Sequence, residues 1–241
     1  MSIHLVGGGW DEAYDGEVYR DFLSEASARA SASGRSLPRI AVLLVREDEE
    51  TVSLRTEAYT RQLTRVAECE PVVTAVLEDG VFASPVLSGI DGLLVGGGLT
   101  PAYLEAVAPL VDEIRMLVAD GLPYLGFSAG AMIAADTAII GGWMIGEVPV
   151  SAEHTGEGLE DVTVAQGLGL VDLAIDVHAA QWGTLSRLVA ATEAGLVDGG
   201  IAIDEYTVLI VGDDSLRVLG RGSVWQVDAS DDGVLVSTLG A

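Results

Sequence analysis

Short apolar runs that stop at glycine limit the fold more than any other feature of this chain. "IHLVGGG" occupies 3–9, "RIAVLLV" 39–45, "PVVTAVL" 71–77 and "GLLVGGG" 92–98, and "PYLGFSAGA" follows at 123–131. The intervening stretches have the spacing of amphipathic helices, over 15–33, roughly 52–68 and Pro101 to Gly121. Pro101 suits a first helical turn and Gly121 a stop. Apolar runs without polar alternation fit strands buried on both faces. Their alternation with helices predicts an α/β fold, a mainly parallel sheet flanked by helices on both faces. After Glu205 the pattern changes to "TVLIVG", "SLRVLG", "SVWQVD" and "GVLVSTLG", separated by Gly and Asp turns. These predict a small antiparallel C-terminal extension. With no linker or internal repeat, residues 1–241 are expected to form a single domain.

Composition removes several function classes. The formal net charge is −25, and every one of the 12 basic residues is arginine. Without lysine there is no Schiff base, no Walker A loop and no Ser-Lys dyad. The acidic balance argues against nucleic acid as a partner and fits solubility. Cys69, in "AECEP", lies between two acidic residues, which disfavour a thiolate, and a lone cysteine builds neither a disulfide framework nor a zinc knuckle. "MSIHLVGGGW" is not a secretory signal and no window is long and apolar enough for a membrane span, so a cytoplasmic protein is expected.

The candidate chemistry centres on "GFSAGAMIAA" at 126–135, where Ser128 sits in a G-x-S-x-G pattern at a strand-to-helix junction. Gly126 and Gly130 would relieve crowding in so sharp a turn, and a helix N-terminus favours a developing anion. The motif alone leaves open a plain small-residue junction. A serine nucleophile needs a base and the base an orienting acid. Of the three histidines, His4 lies inside the first strand and His154 in an acidic loop, where Glu153 and Glu157 make only a weak metal set. His178 ends the apolar run of "LAIDVHAAQWGTLSRL", where sites collect in parallel sheets. Asp204 and Glu205 end another run, and Asp176 shares a strand face with His178; the spacing does not choose among these acids. For an oxyanion, the Ala129 N–H and a donor from Gly97 or Gly98 are the candidates.

"LLVGGGLTP", "LGFSAGAMIAA", "AIDVHAAQWGTLSRL" and "GGIAIDEYTVLIV" stand in the order seen in the cyanophycinase and peptidase E family of serine peptidases, which the chain resembles over most of its length. That family is similar in fold to class I glutamine amidotransferase domains, with serine in place of cysteine. The resemblance implies Ser128 as nucleophile, His178 as base and Glu205 as acid, in an order unlike that of ordinary α/β-hydrolases. It also marks departures. Val177 replaces a usual glutamine, and Trp182 and Thr184 stand where arginines are usual, leaving Arg187.

The resulting expectation is a serine hydrolase, a peptidase on small peptides or isopeptide-like amides, working through an acyl-enzyme. Trp182 and Arg187 are its expected substrate-binding residues, and no metal or other cofactor is needed. The missing arginines predict weak cleavage of β-aspartyl-arginine polymer and a preference for less charged substrates. The expected partners are a small peptide or amide substrate and, at most, a second copy in a homodimer. The competing reading is a catalytically silent relative that binds a small ligand or a protein.

Overall fold

A computed structural model describes residues 2–11, 13, 15–212 and 216–240. The strand–helix alternation appears in chain order: β1 (Ser2–Val6), α1 (Asp15–Ala32), β2 (Arg39–Arg46), α2 (Glu49–Val66) and β3 (Glu70–Leu77). Next come β4 (Gly92–Val95), α3 (Thr100–Val107), α4 (Val111–Ala119), β5 (Tyr124–Phe127) and the one-turn α5 (Ala129–Met132). An excursion carries β6 (Thr137–Gly141), the two-residue strands β7 (Met144–Ile145) and β8 (Val148–Pro149), and β9 (Thr163–Gln166). β10 (Ala174–Val177), α6 (Ala179–Trp182), α7 (Leu185–Glu193) and β11 (Gly199–Ile203) follow. The last strands are β12 (Thr207–Gly212), β13 (Leu216–Gly220), β14 (Val224–Ser230) and β15 (Gly233–Leu239).

The main sheet has the order β13-β12-β1-β5-β4-β2-β3, and its strands from β1 to β3 run parallel. Apolar runs without alternation arise because this sheet is covered on both sides. Ile40, Val42 and Leu44 of β2 meet Phe22 and Leu23 of α1 and Tyr59 and Leu63 of α2. Ala41, Leu43 and Val45 turn the other way, toward Tyr103, Leu110 and Ile114. Burying each large side chain contributes roughly 1.5–3 kcal/mol.

Two local details depart from the periodicity. The long helix expected from Pro101 breaks into α3 and α4 around a 3-10 turn at Ala108–Leu110, because Pro109 has no N–H to donate and its ring crowds the preceding turn. α2 begins at Glu49 because Asp48 caps it, accepting from Thr51 N–H at 2.7 Å.

The C-terminal strands are antiparallel as expected but serve two sheets. β12 pairs antiparallel with β1 and carries β13 at the edge of the main sheet. β14 and β15 extend a second sheet of order β10-β11-β14-β15, in which β10 and β11 are parallel. Of the run "SLRVLG", Ser215 lies outside the described residues. Because β1, β2, β4 and β5 are parallel, the segments Gly7–Gly9, Arg46, Gly96–Gly98 and Ser128 all leave the main sheet at one edge. Ligand crevices form at such an edge.

Candidate active site

Ser128 has φ 53° and ψ −111°, a conformation that costs about 1–3 kcal/mol and persists only where the surroundings enforce it. Its N–H donates to Val6 O at 2.9 Å, while Ala131 and Met132 N–H close the first turn of α5 on its carbonyl. Gly130 N–H donates to Gly96 O at 3.1 Å, and Tyr124 Oη donates to Gly130 O at 2.7 Å. A Cβ on Gly126 would lie 2.3 Å from Gly130 O, and one on Gly130 would lie 2.2 Å from Val95 O. Both glycines of the motif are therefore dictated by backbone packed on backbone.

His178 has left-handed geometry at φ 56°, and its N–H donates to Gly7 O at 3.0 Å. Its Nε2 lies 2.9 Å from Ser128 Oγ, and its Nδ1 lies 2.7 Å from Glu205 Oε1. Tyr206 N–H bonds Gly8 O at 2.9 Å, so the end of β1 and the glycines after it fasten the elbow, the imidazole and the Glu205 turn together. The indole of Trp182 stacks on the imidazole at 3.9 Å and 8°, and the histidine is 7% exposed. Burial pushes the His178 pKa below its ordinary value, against the opposing pull of Glu205. A neutral ring whose Nδ1–H donates to Glu205 leaves the Nε2 lone pair for the serine hydroxyl.

The other two candidate acids have different partners. Asp176 is fully buried and forms a bidentate pair with Arg187, at 2.8 Å to Nε and 2.7 Å to Nη2. Asp204 accepts from Ala180 N–H at 3.0 Å, Trp225 Nε1 at 3.1 Å and Ser223 N–H at 2.8 Å, bracing α6 and β14.

Ser128, His178 and Glu205 open into a cleft of about 640 Å³ that also takes in Gly97, Gly98, His154 and Trp182. A second cavity of about 600 Å³, between Asp136 and Leu216, contains none of the triad candidates. Three expectations change here. Arg187 is 1% exposed, and its remaining nitrogen donates to Gly142 O and Thr155 O, so it holds the excursion in place and is sealed from substrate. The Gly97 N–H donates to Tyr59 Oη at 3.2 Å, leaving Ala129 and Gly98 as backbone donors toward an oxyanion. The cleft also has cationic groups from elsewhere in the chain, since Arg46 and Arg55 line it although positions 182 and 184 carry no arginine. Thr184 is buried, with its hydroxyl on Val177 O at 2.5 Å.

Several lining residues had no motif to reveal them. Arg46 carried one overlooked signal, as a charge closing a buried parallel strand at the end where sites form. Trp182 was expected to bind substrate and does line the cleft, but its position four residues after His178, across the first turn of α6, would also have placed the two rings together. Trp10 lies against Tyr59 and Phe127, with Arg55 over its face at 4.6 Å. Glu157 Oε2 accepts from Thr100 N–H at 2.5 Å, and burial raises its carboxyl pKa to about 7. Elsewhere, His4 is buried beside Phe22, and burial raises the Cys69 thiol to about 11. Among the described residues no helix is long and apolar enough to cross a membrane.

The fold is that of a peptidase from an acI-B1 Actinobacterium, whose solved structure superposes with a TM-score of 0.70 at 18% identity, covering 100% of this chain and 95% of that one. The chain is 36% identical to a cyanophycinase of Synechococcus elongatus over 150 residues, which is 60% of this chain and 44% of the relative. It is 26% identical to a peptidase E of Nostoc sp. over 150 residues, 58% of this chain and 57% of that protein. The chain thus spans about half the length of these curated relatives. Residues 83–219, which include the elbow, His178 and Glu205, match the model of peptidase family S51. The order of motifs, the fold and this match converge: the chain belongs to peptidase family S51.

Proposed function

We propose that the chain is a serine peptidase acting on small peptides or isopeptide-like amides through a Ser128–His178–Glu205 triad. The observation that carries the reading is the unbroken hydrogen-bonded series of Ser128 Oγ to His178 Nε2 at 2.9 Å and His178 Nδ1 to Glu205 Oε1 at 2.7 Å. Ser128 Oγ attacks the scissile carbonyl as its proton passes to Nε2, and Glu205 stabilises the imidazolium. The oxyanion is received by the N–H groups of Ala129 and Gly98. His178 then gives its proton to the leaving amine, which departs as the acyl-enzyme forms. Water, activated by the same nitrogen, attacks the ester; its hydroxyl joins the acyl group and the proton returns to Ser128.

The competing reading, a silent relative that only binds a ligand, accounts less well for the conformational strain spent at Ser128 and the ordered acid behind the ring. A panel of dipeptides, β-aspartyl isopeptides and β-aspartyl-arginine polymer, incubated with wild type and Ser128→Ala, tests the proposal. Cleavage of at least one small amide by wild type and by no sample of Ser128→Ala is expected. Equal turnover by both proteins would overturn it, as would binding without turnover across the panel.

A further inference from the structure

The Gly97–Gly98 peptide is held by three side chains that the triad does not use. Gly97 N–H donates to Tyr59 Oη at 3.2 Å, and Gly97 O accepts from Tyr103 Oη at 3.2 Å and from Arg46 Nη1 at 2.6 Å. Burial raises both phenol pKa values, so both tyrosines stay protonated. Among the described residues there is no cis peptide, and in a trans unit the C=O and the following N–H point in opposite directions. Fixing Gly97 O toward Arg46 and Tyr103 therefore turns Gly98 N–H away from them. A Cβ on Gly97 would lie 2.8 Å from Ser128 Cβ, so this peptide runs beside the nucleophile.

Arg46 is unusual in a second respect. The chain has 37 acidic residues against 12 basic ones, yet Arg46, only 8% exposed, makes no ion pair among the described residues. Its Nε is buried without a hydrogen-bond partner among the described residues. Most of the other arginines are spent on carboxylates, as in Arg29–Asp120, Arg35–Asp91 and Arg217–Asp21. A buried cation without a counter-ion destabilises a fold unless its charge is used elsewhere. Here, among the described residues, its hydrogen bond goes to the carbonyl of the peptide whose other end borders the cleft.

We propose that Arg46 is a positioning residue for the oxyanion site, aiming the Gly98 N–H and polarising it through the Gly97 carbonyl. The inference deepens the serine-peptidase reading and rests on it. A cation and a phenol on the carbonyl oxygen draw electron density from the peptide, so its N–H becomes a stronger donor. The same positive charge, held at a buried position, favours the anion formed when Ser128 attacks. The interaction matters most when that anion exists, so its loss lowers kcat and leaves KM in place.

The test measures the rate of Ser128 modification by a fluorophosphonate, together with kcat and KM on a p-nitrophenyl ester, for wild type, Arg46→Met, Arg46→Lys and Tyr103→Phe. Removing a whole oxyanion donor slows reactions by about 100–1,000-fold, so Arg46→Met is expected to slow labelling and kcat by about 30–300-fold with KM changed less than about twofold. Arg46→Lys, which keeps the charge, recovers about tenfold of that loss, and Tyr103→Phe loses about threefold to tenfold. A purely structural arginine would not give this split or this recovery. Should Arg46→Met melt far below wild type, Tyr103→Phe carries the test, because it removes only one neutral donor. Labelling of Arg46→Met at the wild-type rate, or a loss confined to KM, overturns the role of Arg46 while leaving the triad standing. Failure of wild type to label at Ser128 overturns the peptidase reading and this inference with it.

Discussion

Asp176 and Glu205 both lie beside His178, and the fold uses them in opposite ways. Asp176 is enclosed with Arg187, whose guanidinium stays charged at any physiological pH, so that pair can only hold structure. Glu205 faces an imidazole whose other nitrogen reaches Ser128, so its partner can take and return a proton. Both are carboxylates within hydrogen-bond reach of a nitrogen base. The difference is what the base can do. A permanently charged, sealed partner makes a brace, and a titratable one bordering the cleft suits the proton carrier of the proposed triad.

The comparison predicts effects on separate axes. The largest is on activity: Glu205→Gln is expected to lower kcat by roughly 1,000–10,000-fold while the melting temperature moves by no more than about 2 °C. Matched kinetics and thermal melts check this, and a mutant with near wild-type turnover would erase the distinction.

Next in size is stability. Asp176→Asn or Arg187→Met leaves one buried charge unpaired and is expected to cost about 3–5 kcal/mol in urea unfolding, with the double replacement Asp176→Leu/Arg187→Met recovering most of it. A double mutant as unstable as the sum of the singles would mean that the pair does more than brace.

Glu157 sharpens the contrast, because it sits near both charges of the brace and still lines the cleft. Burial raises its pKa from 4.5 to about 7, helped by Asp176 and opposed by its Thr100 hydrogen bonds and by Arg187. A raised acid contributes its full stability below the unfolded value and loses it as pH rises through the folded one. Glu157→Gln should therefore gain on wild type between pH 4.5 and about 7, by on the order of 1–2 kcal/mol, and the gap should stay level above that. Parallel denaturation curves at pH 5 and pH 8 decide it, and a Glu157→Gln protein that loses stability relative to wild type over that range would reverse the sign.

The smallest effect concerns Trp182. Burial is the main reason the His178 pKa lies below its ordinary 6.5, and the stacked indole supplies part of that cover. Trp182→Leu is expected to move the lower inflection of the pH–rate profile upward by less than about one unit, with kcat at its plateau down about threefold. A downward shift would show that the indole chiefly stabilises the imidazolium.

Much of this was written in the sequence, for identifiable reasons. β2 and β4 are apolar without alternation because both faces are covered, and that signal is local. Gly126 and Gly130 announced the elbow because close backbone approach admits no other residue. The choice among Asp176, Asp204 and Glu205 was illegible from spacing, because it depends on Arg187, Ser223 and Trp225 claiming the first two from distant elements. Arg187 looked like a substrate ligand for the same reason, since nothing near it in sequence shows that Asp176 and two carbonyls consume its donors. The split of the C-terminal strands between two sheets was equally hidden, because antiparallel strands read alike whichever sheet they join. Arg46, Tyr59 and Tyr103 meet at Gly97 only through the order of the main sheet and the packing of α2 and α3 on it.

The most direct test of the triad is the site of covalent modification. Wild type treated with a fluorophosphonate should gain one adduct by intact mass, mapped by peptide sequencing to Ser128, with amide hydrolysis lost in step. Ser128→Ala should gain none and hydrolyse nothing. An adduct on any other residue, or hydrolysis that survives in Ser128→Ala, would contradict the account.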